Sequence, residues 1–409
     1  MKQNAQMVAL IAPECKQKID NMPPRNRFRH QSYPEDAPLG RWHLLRAEPG
    51  PASGSAPWQE RMAHVGRTLR RAGVRAVYLM HGTFAGQDAF GLIRSLAHLF
   101  PEQAGKLRQL RKEIFDRLAK DTGNYTSQYA DAFEQSTGVP VRRFLWSSEN
   151  HHIGRADAAV RWVAELASLN LSRDQRVLVW AHSHGGNVLA LVTNLLAADE
   201  ATRGSFFRAC RTYYRCPILG SVDHPVWPHV QRLLKTDANS RALPRLDVVT
   251  FGTPIRYGWD TGGYARLLHF VHHRPTEGHP PYRAVPPGSI DEVLTAAGGD
   301  YIQHAGIAGT NLPPHLIAWR TWIADVRLAR LLEGPLRRRD FWRRLKAGMR
   351  VAEDGDTLLV DYGPVEGTIA EHLAGHAVYT RHHWLLFHAE QVAEQFYTAC
   401  GQNGWQPKA

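Results

Sequence analysis

Ser183 lies where a short apolar run gives way to a helical pattern. Residues 177–186 read Val-Leu-Val-Trp-Ala-His-Ser-His-Gly-Gly. A serine on a sharp turn at the carboxyl end of a strand can present its hydroxyl as a nucleophile for acyl transfer. Such a turn strains the serine backbone, so the residues two before and two after it must be small, and here they are Ala181 and Gly185. The stretch predicts a nucleophile elbow, and an ordinary strand–helix turn with an incidental serine is the alternative.

A second stretch could supply what acyl transfer needs beside its nucleophile. Residues 74–80 predict a buried strand, and residues 81–86 after it read His-Gly-Thr-Phe-Ala-Gly. A backbone N–H must lie next to the nucleophile to stabilise the negative charge that develops on the acyl oxygen. Gly82 would let the backbone approach the substrate without a side chain. The motif alone is common in turns, but its place on a strand that precedes the elbow favours an oxyanion loop.

Short apolar runs alternate with helical patterns along the chain, and they predict the elements that position these groups. The predicted strands are residues 74–80, 141–146, 177–180, 246–251, 267–272 and 358–360. Uninterrupted apolar runs separated by helices indicate parallel strands whose crossover helices cover both faces of a sheet. The predicted fold class is therefore α/β, with a mostly parallel sheet.

Three features of the chain resemble the α/β-hydrolase superfamily, and in particular its lipase-like members. The elbow, Ala-His-Ser-His-Gly-Gly at 181–186, is similar to a variant found in some bacterial lipases, with Ala181 in place of the more common glycine. A strand ends in His-Gly at 81–82, and a later one in Phe-Gly-Thr-Pro at 251–254. The resemblance covers roughly residues 74–400.

The resemblance implies an α/β-hydrolase fold in which insertions form a cap or lid. It implies that Ser183 is the nucleophile and that the backbone N–H groups of Thr83 and His184 form the oxyanion hole. It also implies the chain order serine, acid, histidine, with the acid after the strand that follows Phe-Gly-Thr-Pro and the histidine after the last strand.

That order leaves several histidines and carboxylates as candidates. His376, in a loop before the final predicted helix, is the preferred base, with His382 and His383 as alternatives. Asp300 is the preferred acid, because it lies in a Gly-Asp-Tyr-Ile turn that resembles the family's, and Asp260 is the alternative. His372 and His376 also have the i,i+4 spacing of metal ligands, but no HExxH motif or carboxylate cluster accompanies them to support a metal site. Acyl transfer to a serine requires no metal or organic cofactor, and none is expected.

Composition limits the class of protein and its partners. The chain has 409 residues, 43% hydrophobic and 22% charged, which is typical of a folded protein, and no apolar run approaches the roughly 18 residues that a membrane span needs. Four cysteines in this length predict free thiols.

The apolar patch at residues 7–12 is too short for a classical signal peptide, so a cytoplasmic location is expected, with signal-independent secretion left open. The net charge of +12 favours an anionic partner such as a phospholipid surface, or simply gives a basic surface.

The predicted organisation is an irregular arm at 1–57, a hydrolase domain at 58–400 and a tail at 401–409. Two insertions interrupt the domain, at about 199–245 and 274–350. The first carries aromatic residues expected at an exposed surface, which suit either a lid or the core of a cap; they are Phe206, Phe207, Tyr213, Tyr214 and Trp227. Residues 335–350 predict a basic amphipathic helix, which would lie on an anionic membrane or dock on the sheet.

These features together predict a serine hydrolase that cleaves carboxylic esters through an acyl-enzyme on Ser183. A small-molecule or lipid ester is the expected substrate, and a lipase or phospholipase is the favoured type. Two alternatives stay open: a serine peptidase or amidase on the same fold, and a non-catalytic basic binding protein on a hydrolase scaffold. Nucleic acid is the less favoured partner, and the oligomeric state is not predicted.

Overall fold

The computed structural model describes residues 28–32, 37–82, 124–216, 221–235, 243–309, 314, 318–333, 340–365 and 372–398. Its centre is a seven-stranded sheet in which every pairing is parallel and the strand order is β1-β7-β6-β5-β4-β2-β3. The strands are β1 (Arg41–Arg46), β2 (Val74–Met80), β3 (Val141–Phe144), β4 (Arg176–His182), β5 (Arg245–Phe251), β6 (Arg266–His272) and β7 (Asp356–Asp361). The predicted α/β class with a parallel sheet is confirmed.

Helices cover both faces of this sheet. They are α1 (Ala56–Arg71), α2 (Ser127–Thr137), α3 (His152–Ser168), α4 (His184–Ala197), α5 (Glu200–Tyr214), α6 (Val226–Leu233), α7 (Ile290–Leu294), α8 (Tyr301–Gly309), α9 (Trp319–Leu332), α10 (Phe341–Ala347) and α11 (Leu385–Tyr397). Helices α3, α4, α5, α6 and α9 pack on one face, and α1, α2 and α11 on the other. None of the helices in the described ranges is both long enough and apolar enough to cross a bilayer.

Strand β4 lies inside the sheet, between β5 and β2, and all seven of its residues are buried. Its side chains alternate between the faces: Val177 and Val179 join the core under α3 and α4, and Leu178 and Trp180 join the core under α1 and α11. A strand buried on both faces reads as a continuous apolar run, which is the pattern that the sequence showed. Since parallel strands end at a common edge, the residues that follow β2, β4, β5, β6 and β7 gather there.

Strand β1 lies inside the segment that was predicted to be an irregular arm, and that prediction is wrong for Arg41–Arg46. The strand pairs with β7 from Arg41↔Asp356 to Arg46↔Asp361. It is an edge strand with a single neighbour, and none of its six residues is buried. An edge strand of this kind lacks a continuous apolar run, which is why the sequence pattern did not reveal it.

The first insertion also differs from expectation, because its aromatic side chains are buried rather than exposed. They belong to α5, α6 and the core beneath them, as Phe206, Phe207, Tyr213, Tyr214 and Trp227. Phe206 stacks on Phe28 and on Trp227, with ring centroids 5.4 and 5.7 Å apart. Spacing alone could not separate these two environments, since an aromatic row suits both a lid and a core.

The basic segment predicted as one helix over 335–350 contains the shorter α10. Its Arg344 is buried, whereas Trp342 has 69% of its surface exposed. Residues 334–339 and the tail at 401–409 lie outside the described residues.

Two helical glycines should respond to alanine in opposite directions. Gly66 of α1 contacts the end of α2. A Cβ added at Gly66 would lie 2.7 Å from the carbonyl carbon of Thr137. Gly204 of α5 has room, since a Cβ there would meet only the flexible end of Arg208. Gly66→Ala should lower the free energy of unfolding by about 1–3 kcal/mol through overpacking, and Gly204→Ala should raise it by about 0.5–1 kcal/mol. Urea denaturation of both variants checks this, and a destabilised Gly204→Ala would contradict the packing described.

Candidate active site

Ser183 joins the end of β4 to the start of α4 with a strained backbone. Its φ is 53° and its ψ is −132°, a region that residues with a side chain rarely adopt. Three hydrogen bonds hold this conformation: Ser183 N donates to Phe251 O at 2.8 Å, and Ser183 O accepts from Thr253 Oγ1 at 2.8 Å and from Gly186 N at 3.0 Å. The Ser183 hydroxyl does not cap α4. It is therefore not committed to stabilising the helix that follows.

Small residues surround Ser183 because other backbone lies directly against it. A Cβ on Gly185 would be 2.8 Å from His81 O and 3.1 Å from Met80 O. A Cβ on Gly82 would be 2.5 Å from Ser183 Cβ and 3.2 Å from Ser183 Oγ. The His-Gly segment after β2 thus contacts the serine turn after β4, and glycine is required at both contacts.

The His-Gly segment is itself anchored by residues that follow β3. Trp146 donates from Nε1 to His81 O at 2.9 Å, and Ser148 donates from Oγ to Gly82 O at 2.9 Å. His184, the first residue of α4, is buried, and its Nδ1 is 3.1 Å from Asn187 Nδ2. Thr83, the other residue predicted for the oxyanion hole, lies outside the described residues.

Asp300 and His376 form a buried hydrogen-bonded pair. Asp300 follows β6 and His376 follows β7, and His376 Nδ1 is 2.7 Å from Asp300 Oδ2. Asp300 is fully buried and His376 is 5% exposed. Because an ionised carboxylate accepts only, it binds the tautomer of His376 that carries its proton on Nδ1. The Nε2 atom of His376 is then able to accept a proton.

The Asp300 carboxyl group is kept ionised by its partners. Burial alone would raise its pKa, but the positive charge and hydrogen bond of His376, the Gln303 amide and the Arg350 guanidinium outweigh burial and hold the pKa below its ordinary value. Gln303 N donates to Asp300 Oδ1 at 2.8 Å. The carboxyl group of Asp300 is thus ionised at neutral pH and accepts the hydrogen bond of His376.

This pair lies against the serine turn. The ring of His376 is 4.6 Å, between centroids, from the ring of His182, the residue before Ser183, and His182 Nε2 is 3.1 Å from His376 O. On the other side, a Cβ on Gly252 would be 2.8 Å from Asp300 Oδ2. The structure therefore places the His376–Asp300 pair against His182 and Gly252, at the carboxyl edge of the sheet where Ser183 also lies.

His184 lies close to several positively charged or titratable side chains. Its pKa lies well below the ordinary histidine value, first because it is buried and then because Arg155, Arg256, His376 and His152 are nearby. A neutral His184 adds no further positive charge next to the serine turn.

The alternative candidates lie elsewhere. Asp260 accepts from Gly262 N at 3.0 Å and donates its own N–H to Thr193 near the end of α4. The ring of His382 packs on Tyr129, 5.4 Å between centroids, and His383 is exposed. In the described part of the chain, no group of three or more His, Cys, Asp or Glu residues could hold a metal ion.

Sequence reasoning missed Tyr379 and Arg350, which both contact Asp300. Tyr379 donates from its hydroxyl to Asp300 Oδ2 at 2.9 Å, and Arg350 donates from Nη2 to Asp300 O at 2.9 Å. Tyr379 follows His376 by three residues, but a single tyrosine at that spacing does not indicate a contact with the acid. Arg350 belongs to a basic segment that the sequence predicted as an amphipathic surface helix, so nothing in the pattern set it apart from the other arginines.

Comparison of the chain with protein-family models, with curated proteins and with solved structures finds no match.

A buried histidine beside Asp300 should make stability depend on pH. His304 of α8 has its pKa lowered to about 4, first by burial and then by Arg350. Between this value and the ordinary histidine pKa, the unfolded chain binds a proton that the folded chain does not, so stability falls as pH falls, by about 1.4 kcal/mol per pH unit for this residue. His304→Gln, which can keep the hydrogen bond to Leu345 O, should lose about 2 kcal/mol less than the wild type between about pH 7 and about pH 5. Urea denaturation at both pH values measures this, and equal losses in the two proteins would refute it.

Proposed function

We propose that this chain is a serine hydrolase of the α/β-hydrolase type that cleaves carboxylic esters through an acyl-enzyme on Ser183. The observation that carries the proposal is the location of the His376–Asp300 pair. It packs on His182, immediately before a serine whose φ is 53°. A nucleophile, a base and an orienting carboxylate within one site are the set that acyl transfer to a serine requires.

In the proposed reaction, His376 Nε2 takes the proton of the Ser183 hydroxyl as Oγ attacks the acyl carbon. The imidazolium then gives this proton to the oxygen of the leaving alcohol as the ester C–O bond breaks. A water molecule, deprotonated by His376, attacks the acyl-enzyme and releases the carboxylic acid, with the proton returned to Ser183. Asp300 stays ionised throughout and holds His376 in the tautomer that leaves Nε2 free to accept.

The oxyanion of this reaction would be stabilised at the start of α4. The N–H of His184 lies at the helix N-terminus, where unpaired N–H groups and the helix dipole favour negative charge. Gly82, close to Ser183 Oγ, allows the backbone after β2 to approach the same oxygen. Thr83 is proposed as the second donor on the basis of the family resemblance alone.

A lipid ester is the substrate class that we favour. Support comes from the lipase-like elbow motif, from the net charge of +12 and from the exposed Trp342 next to basic residues in α10. The aromatic residues of α5 and α6 give no support, because they are buried in the core. A cap or lid formed by the insertions is proposed on the basis of the family resemblance alone.

Ser183 should be the residue that reacts with a fluorophosphonate probe. The described part of the chain has another buried serine with positive φ, Ser148 (φ 62°), which serves as an internal comparison in the same protein. The wild type should be labelled at Ser183, as mapped by mass spectrometry of the digested protein, and Ser183→Ala should not be labelled. Label on Ser148, or full labelling of Ser183→Ala, would contradict the assignment.

Removal of the base or the acid should abolish turnover of an acyl ester. His376→Ala and Asp300→Asn should each lower kcat by about 10³-fold or more. The first variant removes the proton acceptor of Ser183, and the second no longer holds His376 in the tautomer whose Nε2 can accept that proton. His382→Ala and His383→Ala are the matched controls and should keep wild-type rates. Initial rates are measured on p-nitrophenyl esters and the matching anilides. Loss of activity in a control would transfer the base to that residue, and faster cleavage of the anilides would favour a peptidase or amidase.

A further inference from the structure

The Asp300 carboxylate has a second side-chain partner besides His376. Asp300 Oδ2 accepts from His376 Nδ1 at 2.7 Å and from the Tyr379 hydroxyl at 2.9 Å. The Tyr379 hydroxyl in turn accepts from His272 N at 2.7 Å. Since a hydroxyl has a single proton, and the backbone N–H can only donate, that proton is directed at Asp300.

Tyr379 remains a donor throughout the neutral range. It is fully buried, and burial followed by the negative charge of Asp300 keeps the pKa of its hydroxyl well above the ordinary value. The hydroxyl and the imidazole therefore share one carboxylate oxygen. Because the Tyr379 hydroxyl also binds Oδ2, the carboxylate attracts the His376 ring less strongly than it would without the hydroxyl.

The main chain of Asp300 is fixed independently of Tyr379. Arg350 is fully buried, and its guanidinium donates to Asp300 O at 2.9 Å, to Gly298 O at 3.0 Å and to His272 O at 2.6 Å. Gln303 N holds the other carboxylate oxygen at 2.8 Å. Loss of the Tyr379 hydroxyl should thus leave the main chain of Asp300 in place, while it removes one hydrogen-bond donor from Oδ2 and the acceptor of His272 N.

We infer that Tyr379 is a positioning residue that acts through Asp300: its hydroxyl fixes the carboxylate and limits the negative charge that Asp300 presents to His376. The inference rests on the proposed function, because it assigns a role within the same site. Without the hydroxyl, the carboxylate would stabilise the imidazolium of His376 more strongly. His376 would then be protonated to a higher pH, and its orientation would be less restricted.

Other titratable and charged groups face this pair from the elements packed around it. They are His182 and His184 beside Ser183, His272 at the end of β6, His304 in α8, Arg350 before β7, and Tyr362 after β7. All of them are unchanged in a Tyr379→Phe variant. A shift that this variant shows can therefore be assigned to the missing hydroxyl.

The kinetic test compares Tyr379→Phe with wild type on a p-nitrophenyl ester across the pH range. The expected result is a fall in kcat of about tenfold, with KM changed by about twofold at most, and an acid limb of kcat/KM moved upward by roughly half a pH unit. Tyr362→Phe is the matched control, because its buried hydroxyl bonds to His388 Nε2 at 2.8 Å and not to Asp300. The control should keep the wild-type profile. A Tyr379→Phe profile that equals either the wild type or the control would overturn the inference.

A second measurement does not depend on turnover. NMR titration of the His376 ring should show a higher pKa in Tyr379→Phe than in wild type, and an unchanged value in Tyr362→Phe. If the wild type hydrolyses no ester, the proposed function fails while this titration still decides the role of Tyr379. If the wild type is active and the titration shows no shift, the role of Tyr379 fails alone.

Discussion

The backbone of Ser183 is the constraint on which the carboxyl edge of the sheet depends. A serine at φ 53° is held there by Phe251 O, Thr253 Oγ1 and Gly186 N. A backbone conformation of this kind costs on the order of 1–3 kcal/mol and persists only where its surroundings determine it fully. Two of the three groups belong to the neighbouring strand β5 and the loop after it, so the turn requires that β4 and β5 end in register, as His182↔Phe251 shows.

The same register determines which residues meet. Strands β5, β6 and β7 follow β4 in turn across the sheet and end at the same edge, and the loops after β6 and β7 carry Asp300 and His376. Positive φ at Gly252, Gly299 and Gly375 lets these loops turn closely enough to approach one another. At Gly252 an added Cβ would lie 2.8 Å from Asp300 Oδ2, so a side chain there would displace the carboxylate. Glycines in the loops that follow β5, β6 and β7 therefore allow the close approach on which the proposed chemistry depends.

Sequence patterns predicted the buried strands of the sheet, but they did not predict its edge strand β1 or the burial of the aromatic residues in α5. The runs that became β2, β4, β5 and β6 are apolar because these strands are buried on both faces, and such runs are easily recognised. Ser183, Asp300 and His376 could be predicted because the family resemblance implies a fixed chain order in which each follows a strand. The edge strand β1 was missed because it is half exposed, and the aromatic residues of α5 were misplaced because spacing does not reveal burial. Tyr379 and Arg350 contact Asp300 only through the folded chain, and no local pattern indicates such contacts.

A fully buried carboxylate couples the site to the stability of the fold. An ionised Asp300 in this environment would cost several kcal/mol if it were left without partners. His376, Tyr379 and the Gln303 amide supply its hydrogen bonds, and Arg350 supplies a buried positive charge close by. Removing Arg350 would take away a buried positive charge and its hydrogen bonds to the main chain of Asp300, Gly298 and His272. Removing the Tyr379 hydroxyl leaves two hydrogen bonds to the carboxylate and the cation in place. Adjustment of the charge that Asp300 presents to His376 therefore falls to Tyr379, since Arg350 bonds the main chain of Asp300 and the Gln303 amide bonds the other carboxylate oxygen.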